Sequence, residues 1–251
     1  MPDLHRCCRD FREGLHKSRA QAYRATGVGQ SYIKQIEDGT RTPSVETLDK
    51  LIAGYALTPA QAQFLRELRM PSIALPPLEQ MRHAVRNDAT FLARLREHQH
   101  EAKPAAYIDP LWNVLAANDA FFRALPGVER SVSVLAWLFT PAAKQVLVEW
   151  DSEASQAIAI IKAILGRHRN TAQARELMRH LGPNLDVRRI WLDSIEISYG
   201  RGASTPIHLR DQDTGEPISY LYTTNVDDPR RSPYLFLISA VPKPYSGPAD
   251  L

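Results

Sequence analysis

Residues Ser18–Ser44, SRAQAYRATGVGQSYIKQIEDGTRTPS, contain two short helical patterns separated by the tight break Thr26-Gly27-Val28-Gly29. A glycine at position 27 permits the positive φ that a sharp turn between two helices requires. The second pattern has an apolar side and a polar side. The apolar side consists of Tyr32, Ile33 and Ile36, and the polar side consists of Gln30, Ser31, Lys34 and Gln35. This segregation predicts a helix that packs on a small core and leaves hydrogen-bonding groups exposed.

The sequence around this pair predicts three more helices. The first runs over residues 4–15, and Ser18 is placed to cap the helix that follows, since its hydroxyl can accept a backbone N–H. Another helix begins at Pro43-Ser44. The last begins at Thr58-Pro59, where proline suits the first turn. We therefore expect an all-α domain of five helices over residues 1–70.

The excess positive charge of the chain lies in the same segment. Residues 1–70 contain 11 Lys and Arg against 8 Asp and Glu, whereas the remaining residues contain 20 of each. The formal charge of the whole chain is +3. A basic excess confined to one domain favours contact between that domain and nucleic acid.

The five-helix order resembles the Xre/Cro-like helix-turn-helix family of bacterial and phage repressors. The resemblance covers residues 4–69 and implies a DNA-binding domain whose recognition helix enters the major groove. Its landmarks in this chain are Gly27-Val28, Ser31-Tyr32-Ile33, Ile36-Glu37-Asp38-Gly39, and Arg41-Thr42-Pro43-Ser44 leading into Leu48. Family members usually carry Gln where this chain has Arg19, which can still reach a phosphate.

The side chains that this helix exposes suggest roles in reading DNA. Gln30 and Gln35 can pair with adenine, Lys34 with guanine, and Ser31 with either base. Arg19 and Arg41 are placed to hold phosphates and so to fix the register. The predicted DNA-binding residues are Arg19, Gln30, Ser31, Tyr32, Lys34, Gln35, Arg41 and Thr42.

Three prolines in MPSIALPPLEQ, residues 70–80, indicate a linker. An amphipathic helix is predicted after it, over residues 78–98. Residues 71–103 are therefore interpreted as a linker and connecting helix. This helix either joins two domains or forms a dimer contact, and the sequence leaves both alternatives open.

Residues 104–245 have the pattern of a second, α+β domain. Two strand-like segments flank an Asp109-Pro110 turn, and Asn118 can cap the helix after them. Helices are then predicted over residues 134–139, 141–150, 152–168 and 171–181, and strands over residues 194–199, 205–210, 217–224 and 234–241. Two strands, a helical insert and further antiparallel strands are typical of a PAS-like antiparallel sheet.

This second domain resembles the ligand-binding domain of MmyB-like transcription regulators. The matching text is Pro104-Ala105-Ala106-Tyr107-Ile108, Val114-Leu115-Ala116-Ala117-Asn118, Leu138-Phe139, Trp150 and Arg189-Ile190-Trp191. The resemblance implies a PAS-like pocket for a fatty-acid-like molecule, and such pockets combine an apolar lining with a few polar anchors. The predicted ligand-binding residues are Tyr107, Trp112, Leu115, Asn118, Phe122, Trp137, Trp150, Ile160, Ile164, Trp191, His208 and Tyr222.

Taken together, these patterns favour a dimeric transcription regulator that binds double-stranded DNA and an apolar small molecule. An enzyme is disfavoured because the chain has no Gly-x-Ser-x-Gly elbow, no His-Glu-x-x-His and no Walker loop. The alternative is a repressor that a protein partner controls without any small ligand.

The remaining patterns concern metals, cofactors and location. The two cysteines, Cys7 and Cys8, are adjacent and do not have the spacing of a zinc site, so neither a metal nor a cofactor is predicted. No apolar run reaches the ~18 residues of a membrane span, and the N-terminus has no signal-peptide pattern. We therefore expect a cytoplasmic protein without membrane contact.

Overall fold

The computed structural model describes residues 1–202, 204–226 and 234–248. The helices in these ranges are α1 (Leu4–Gly14), α2 (Arg19–Thr26), α3 (Gln30–Glu37), α4 (Val45–Gly54), α5 (Pro59–Arg69), α6 (Leu78–Arg86), α7 (Ala89–His100), α8 (Asp119–Ala124), α9 (Val134–Trp137), α10 (Pro141–Val146), α11 (Trp150–His168), α12 (Ala172–Leu181) and α13 (Leu185–Asp193), with a 3₁₀ helix at Val128–Arg130. The strands are β1 (Ala105–Ile108), β2 (Val114–Ala117), β3 (Ile207–Arg210), β4 (Pro217–Val226) and β5 (Phe236–Lys243).

Helices α1–α5 confirm the predicted five-helix domain, and side chains cap α2, α4 and α5 at the predicted residues. Ser18 Oγ accepts the N–H of Gln21 at 3.2 Å, and Gln21 Oε1 accepts the N–H of Ser18 at 2.7 Å. Helix α2 ends at Gly27, whose φ of 70° lies in the left-handed region that favours glycine. The hydroxyls of Ser44 and Thr58 cap α4 and α5.

The chain divides into two compact units whose boundaries do not follow the predicted domains at 1–70, 71–103 and 104–245. Unit 1 consists of Met1–Ala74, Ile158–Thr171 and Arg189–Tyr199, and unit 2 consists of Leu75–Ala157, Ala172–Arg188 and Gly200–Leu251. The prediction assumed that each domain is one continuous stretch of chain. Unit 1 instead takes residues from the second half of the sequence.

Two distant segments complete the core of unit 1. Ala163 and Ile197 are buried in the same cluster as Phe64 and the apolar faces of α1–α5. Gln61 Nε2 donates a hydrogen bond to the carbonyl of Ile195 at 3.0 Å. Polar side chains surround this contact: Glu67 pairs with Arg167 and accepts the hydroxyl of Tyr199 at 2.6 Å. The helix-turn-helix helices therefore share their core with segments from the second half of the sequence.

Gly166 in α11 allows the closest of these contacts. A Cβ at this position would lie 2.4 Å from Cε2 and 2.9 Å from Cδ2 of Phe64, a ring that is only 2% exposed. We expect Gly166→Ala to lower the free energy of unfolding, because overpacking costs about 1–3 kcal/mol and the helix gains only about 1 kcal/mol from alanine. Urea titration of the full chain measures the change. Gly200→Ala is the control, since a Cβ there meets nothing within 4 Å; equal stability of the two variants would contradict the packing.

Unit 2 contains an antiparallel sheet, which confirms the predicted α+β class. Over the described residues the strand order is β2-β1-β5-β4-β3. Alternate residues of β1 point to opposite faces: Ala106 and Ile108 pack in one apolar cluster, whereas Ala105 and Tyr107 pack in another. The second cluster includes residues of α6 and α7, and the first includes residues of α8–α10. Both faces of this strand are therefore covered.

Three elements differ from the sequence predictions. The single helix predicted over residues 78–98 is two helices, α6 and α7, because Asp88 interrupts the pattern and caps α7 by accepting the N–H of Thr90 at 2.8 Å. The strand predicted over residues 194–199 was wrong: this segment is irregular and belongs to unit 1. Helix α13 was not predicted; its leucines at positions 185 and 192 are exposed, whereas Val187 and Ile190 are buried.

Candidate functional sites

Helix α3 presents the polar face that its sequence predicts. Ile33 and Ile36 are buried in the core of unit 1, and Tyr32 is half-buried against it. The predicted base-reading residues are exposed: Gln30, Ser31, Lys34 and Gln35. The helix therefore offers amide, hydroxyl and ammonium groups on one surface, a set that matches the donors and acceptors of base edges.

The loop after α3 is tied to the last turn of the helix. The carbonyl of Gln35 accepts the N–H of Thr40 at 3.0 Å, the N–H of Arg41 at 3.2 Å and the hydroxyl of Thr40 at 3.0 Å. The guanidinium of Arg41 lies 5.5 Å from the ring centre of Tyr32, within the range of a cation–π contact. Arg41 and Thr42 are both exposed. Helix and loop thus form one continuous surface that carries most of the predicted DNA-binding residues.

Arg19 has a different environment from the one that the sequence suggests. Its Nε and Nη2 lie 2.9 and 2.8 Å from Oε2 of Glu37, a carboxylate that is almost fully buried. Arg12 contacts the same carboxylate through Nε at 2.5 Å and Nη2 at 2.9 Å. Two arginines from α1 and α2 therefore hold the C-terminal end of α3. About a third of the Arg19 side chain is exposed.

Sequence reasoning missed a second charge cluster at the end of α3. Lys34 Nζ lies 2.6 Å from Oδ2 of Asp38, and Arg9 Nη2 lies 2.9 Å from Oδ1 of the same residue. The spacing of Lys34 and Asp38, four residues apart on a helix, was a signal for this pair. Arg9 carried no comparable signal, because its contact depends on how α1 packs against α3.

The predicted ligand-binding residues do not form one group. Five of them pack in a single apolar cluster of unit 2, here called the aromatic cluster: Trp112, Phe122, Trp137, Trp150 and Tyr222. The rings of Trp112 and Tyr222 meet edge to face, with centres 6.4 Å apart. Trp137 Nε1 donates to the carbonyl of Pro126 at 2.8 Å, and Trp150 Nε1 to the carbonyl of Leu138 at 2.7 Å. Burial raises the pKa of Tyr222 to about 12, so its hydroxyl stays protonated and can donate a hydrogen bond.

The other predicted residues lie elsewhere. Tyr107 and Leu115 pack in the cluster beneath α6 and α7. Ile160, Ile164 and Trp191 belong to unit 1, where Lys162 Nζ lies 5.4 Å from the ring centre of Trp191. Periodicity identified these side chains as apolar, but it could not say which core each one joins.

Asn118 and His208 have structural partners in unit 2. The Asn118 side chain caps α8 by accepting the N–H of Phe121 at 2.9 Å, and it donates to the carbonyl of Lys103 at 2.8 Å. His208 Nδ1 lies 2.9 Å from Oγ of Ser219, and its ring packs edge to face on Tyr245. Both polar groups are therefore engaged within the fold, which limits their capacity to anchor a ligand.

The Asp109 turn is a buried polar feature that the sequence predicted only as a hairpin. Asp109 Oδ1 accepts the N–H groups of Leu111 and Asn113 at 2.8 and 2.9 Å, and Oδ2 accepts Nδ2 of Asn113 at 2.7 Å. Burial raises the pKa of Asp109 to about 6, against the hydrogen bonds that lower it. These bonds position Trp112, whose φ of 62° lies in the left-handed region.

A pocket of about 490 Å³ lies outside the aromatic cluster. The turn between β3 and β4 and the end of β5 form it, with side chains such as Glu216, Pro217, Pro242 and Tyr245. None of the predicted ligand-binding residues lines this pocket. Sequence reasoning missed it because its residues come from two chain segments that meet only through the pairing of β4 with β5.

The part of the chain that the structure describes contains neither a metal-binding cluster nor a membrane-spanning helix. Within residues 1–202, 204–226 and 234–248, no group of three or more His, Cys, Asp or Glu side chains is arranged to hold a metal ion. None of the helices in these ranges combines the length and apolar character needed to cross a bilayer. The thiols of Cys7 and Cys8 have raised pKa values because they are buried, about 12 for Cys7, so both stay protonated.

Two family models match the chain. A helix-turn-helix model matches residues 9–61, and the model of the MmyB-like transcription regulator ligand binding domain matches residues 92–243, more than half of the chain. The chain belongs to the MmyB-like transcription regulators. No curated protein matches the chain as a relative.

This MmyB-like regulator is a DNA-binding transcription regulator with a ligand-binding domain. The helix-turn-helix match lies entirely in unit 1. The ligand-binding match includes Ile158–Thr171 and Arg189–Tyr199, which pack with the helix-turn-helix in unit 1. Part of the ligand-binding sequence is therefore built into the DNA-binding unit of this regulator.

Proposed function

We propose that this MmyB-like regulator binds a specific double-stranded DNA sequence as a homodimer and responds to an apolar, fatty-acid-like ligand. The observation that carries the proposal is the continuous polar surface of α3 and its following loop. In this proposal Gln30 and Gln35 read adenine, Lys34 reads guanine and Ser31 adds a bond to either base. Arg41 and Thr42, with the exposed part of Arg19, contact phosphates, and Tyr32 supports Arg41.

The first experiment determines the DNA sequence that the protein binds. Selection of bound duplexes from random oligonucleotides by the full chain should yield a palindrome, with half-sites about one helical turn, or 10–10.5 base pairs, apart. A palindrome supports the dimer because each recognition helix reads one half-site. Enrichment of no sequence at all would contradict sequence-specific binding, and enrichment of a single unrepeated half-site would contradict the dimer.

Lys34→Ala tests the base-reading surface. We expect this variant to bind the selected duplex more weakly by roughly 1–3 kcal/mol, because a base contact is lost. Competition with a scrambled duplex of the same composition measures whether the loss is specific. Lys50→Ala is the matched control, since Lys50 is also an exposed lysine that pairs with a carboxylate one turn away, at 2.7 Å from Glu46. An equal loss of affinity for both duplexes would make Lys34 a phosphate contact.

The ligand half of the proposal rests on the aromatic cluster, because ligand pockets combine apolar and aromatic side chains with a few polar groups, and Tyr222 adds a hydroxyl to this cluster. Native mass spectrometry of the full chain should detect a bound acyl molecule. Dodecanoic acid should then change the affinity for the selected duplex, since a regulator couples two sites by a free energy. If the protein carries no such molecule and its affinity for DNA does not change when dodecanoic acid is added, control by a protein partner is favoured instead. The proposal includes no enzymatic activity and assumes a cytoplasmic location.

A further inference from the structure

The recognition helix carries an acid among its DNA-facing groups. Asp38 follows α3 as its C-cap residue, and its Oδ2 lies 2.6 Å from the ammonium of Lys34. Lys34 is 63% exposed and Asp38 is 32% exposed at the side chain. The proposed guanine reader therefore already has an anionic partner in the protein.

Helix α1 holds this acid in place. Arg9 Nη2 donates to Oδ1 of Asp38 at 2.9 Å and to the carbonyl of Glu37 at 2.9 Å. One carboxylate oxygen thus bonds to Arg9 and the other to Lys34. The hydrogen bond from Lys34 lowers the pKa of Asp38, and the charges of Lys34, Arg9 and Arg19 act in the same direction. The carboxylate is ionised across the neutral range and is fixed by α1.

An ion pair on the recognition surface changes the balance between specific and non-specific DNA. A free lysine gains affinity from any phosphate, because each neutralised phosphate releases counterions whatever the sequence. A lysine that is paired with a carboxylate gains less from a phosphate, because the two anions repel each other. Guanine offers two uncharged acceptors, O6 and N7, in the major groove, and these do not repel the carboxylate. Specificity rises when contacts to the wrong partner are penalised as well as when contacts to the right one are improved.

We propose that Asp38 is a positioning residue for base discrimination, because its charge holds the Lys34 ammonium and repels phosphates from it, whereas an uncharged guanine edge can accept a hydrogen bond from the same ammonium. This inference rests on the proposed function of α3 as the base-reading helix. Asp38 itself then contributes to specificity without touching a base.

Asp38→Asn tests the proposal with little change in shape. The amide keeps an oxygen for Arg9 and loses the charge that holds Lys34. We expect affinity for a scrambled duplex to rise roughly two- to fivefold, the range of an exposed ion pair. The slope of log affinity against log salt should steepen by about 0.9, since one more cation reaches a phosphate. The ratio of affinities for the selected and the scrambled duplex should fall.

Two further variants separate this role from charge and from folding. Glu46→Gln makes the same change of net charge at another exposed Lys–carboxylate pair, Lys50–Glu46, at 2.7 Å; its ratio of affinities should stay at the wild-type value. In a Lys34→Ala background, Asp38→Asn should lose at least half of its effect on that ratio. Circular dichroism establishes that each variant is folded before its affinity is measured.

The outcomes are distinguishable from failure of the proposed function. If the wild-type chain selects no sequence, the base-reading role fails first. If it selects one, and Asp38→Asn leaves the ratio and the salt slope unchanged, the role of Asp38 is wrong. The role is also wrong if Asp38→Asn weakens both duplexes equally, or if its effect is undiminished without Lys34.

Discussion

Glu37→Ala should destabilise unit 1 by roughly 3–5 kcal/mol, the cost of breaking a buried ion pair by removing one partner. The Glu37 side chain is 1% exposed, and its two oxygens contact Arg12 and Arg19. Arg12 is itself buried, with 7% of its side chain exposed, and the hydrogen bonds that it donates to Glu37 raise its pKa. Removing the carboxylate leaves this charge buried without its main partner. Urea unfolding, followed by circular dichroism, measures the loss.

Glu13→Ala is the matched control for this prediction. Glu13 Oε1 lies 2.9 Å from Nη2 of the same Arg12, but its side chain is 57% exposed. An exposed pair contributes at most about 1 kcal/mol. A loss of stability as large in Glu13→Ala as in Glu37→Ala would contradict a special role for the buried carboxylate. The network also anchors α3, so a destabilised Glu37→Ala protein should bind the selected duplex weakly.

Trp137→Ala should destabilise unit 2 by about 3–5 kcal/mol, the usual cost of removing a buried aromatic ring. Trp137 is 1% exposed in the aromatic cluster, and its Nε1 donates to the carbonyl of Pro126 at 2.8 Å. The substitution leaves a cavity and an unpaired carbonyl. Thermal unfolding of the full chain, monitored by near-ultraviolet circular dichroism, measures the change.

Leu185→Ala is the control for the aromatic cluster, because Leu185 is 78% exposed and belongs to the same unit. A surface substitution of this kind changes stability by no more than about 0.5 kcal/mol. If Trp137→Ala unfolds at the wild-type temperature, the ring does not stabilise unit 2. A ligand-dependent rise in unfolding temperature that Trp137→Ala abolishes, while the folded protein persists, would link the cluster to ligand binding.

Local patterns were sufficient for the helix-turn-helix. Ser18, Gly27, Ser44 and Thr58 begin or end helices at the predicted residues, because caps and left-handed turns depend on side chains within a few positions of the chain. The exposed side chains of α3 were also predicted correctly, since a helix fixes which residues share a face. The α+β class of the second domain followed in the same way from alternating and helical periods.

Local patterns failed where a residue's partner is distant in sequence. Ile160, Ile164 and Trp191 were predicted to line a pocket with Trp112 and the other aromatic residues, but they belong to unit 1. The sequence showed that these residues are apolar, but it did not show which unit they belong to. The same reason explains the strand wrongly predicted over residues 194–199, whose Ile195 and Ile197 are apolar because they cover the helix-turn-helix core.

The sequence alone determined the chemistry of the polar surface of α3, because one helix of eight residues fixes which of its side chains share a face. Tertiary structure decided how that chemistry is held. Glu37 became a buried anion shared by Arg12 and Arg19, Asp38 became the partner of Arg9 in α1, and Gly166 became the residue that admits Phe64. Each of these depends on contacts between segments that are up to about a hundred residues apart. Such contacts form only when burial of apolar surface brings the segments together, and no local pattern encodes them.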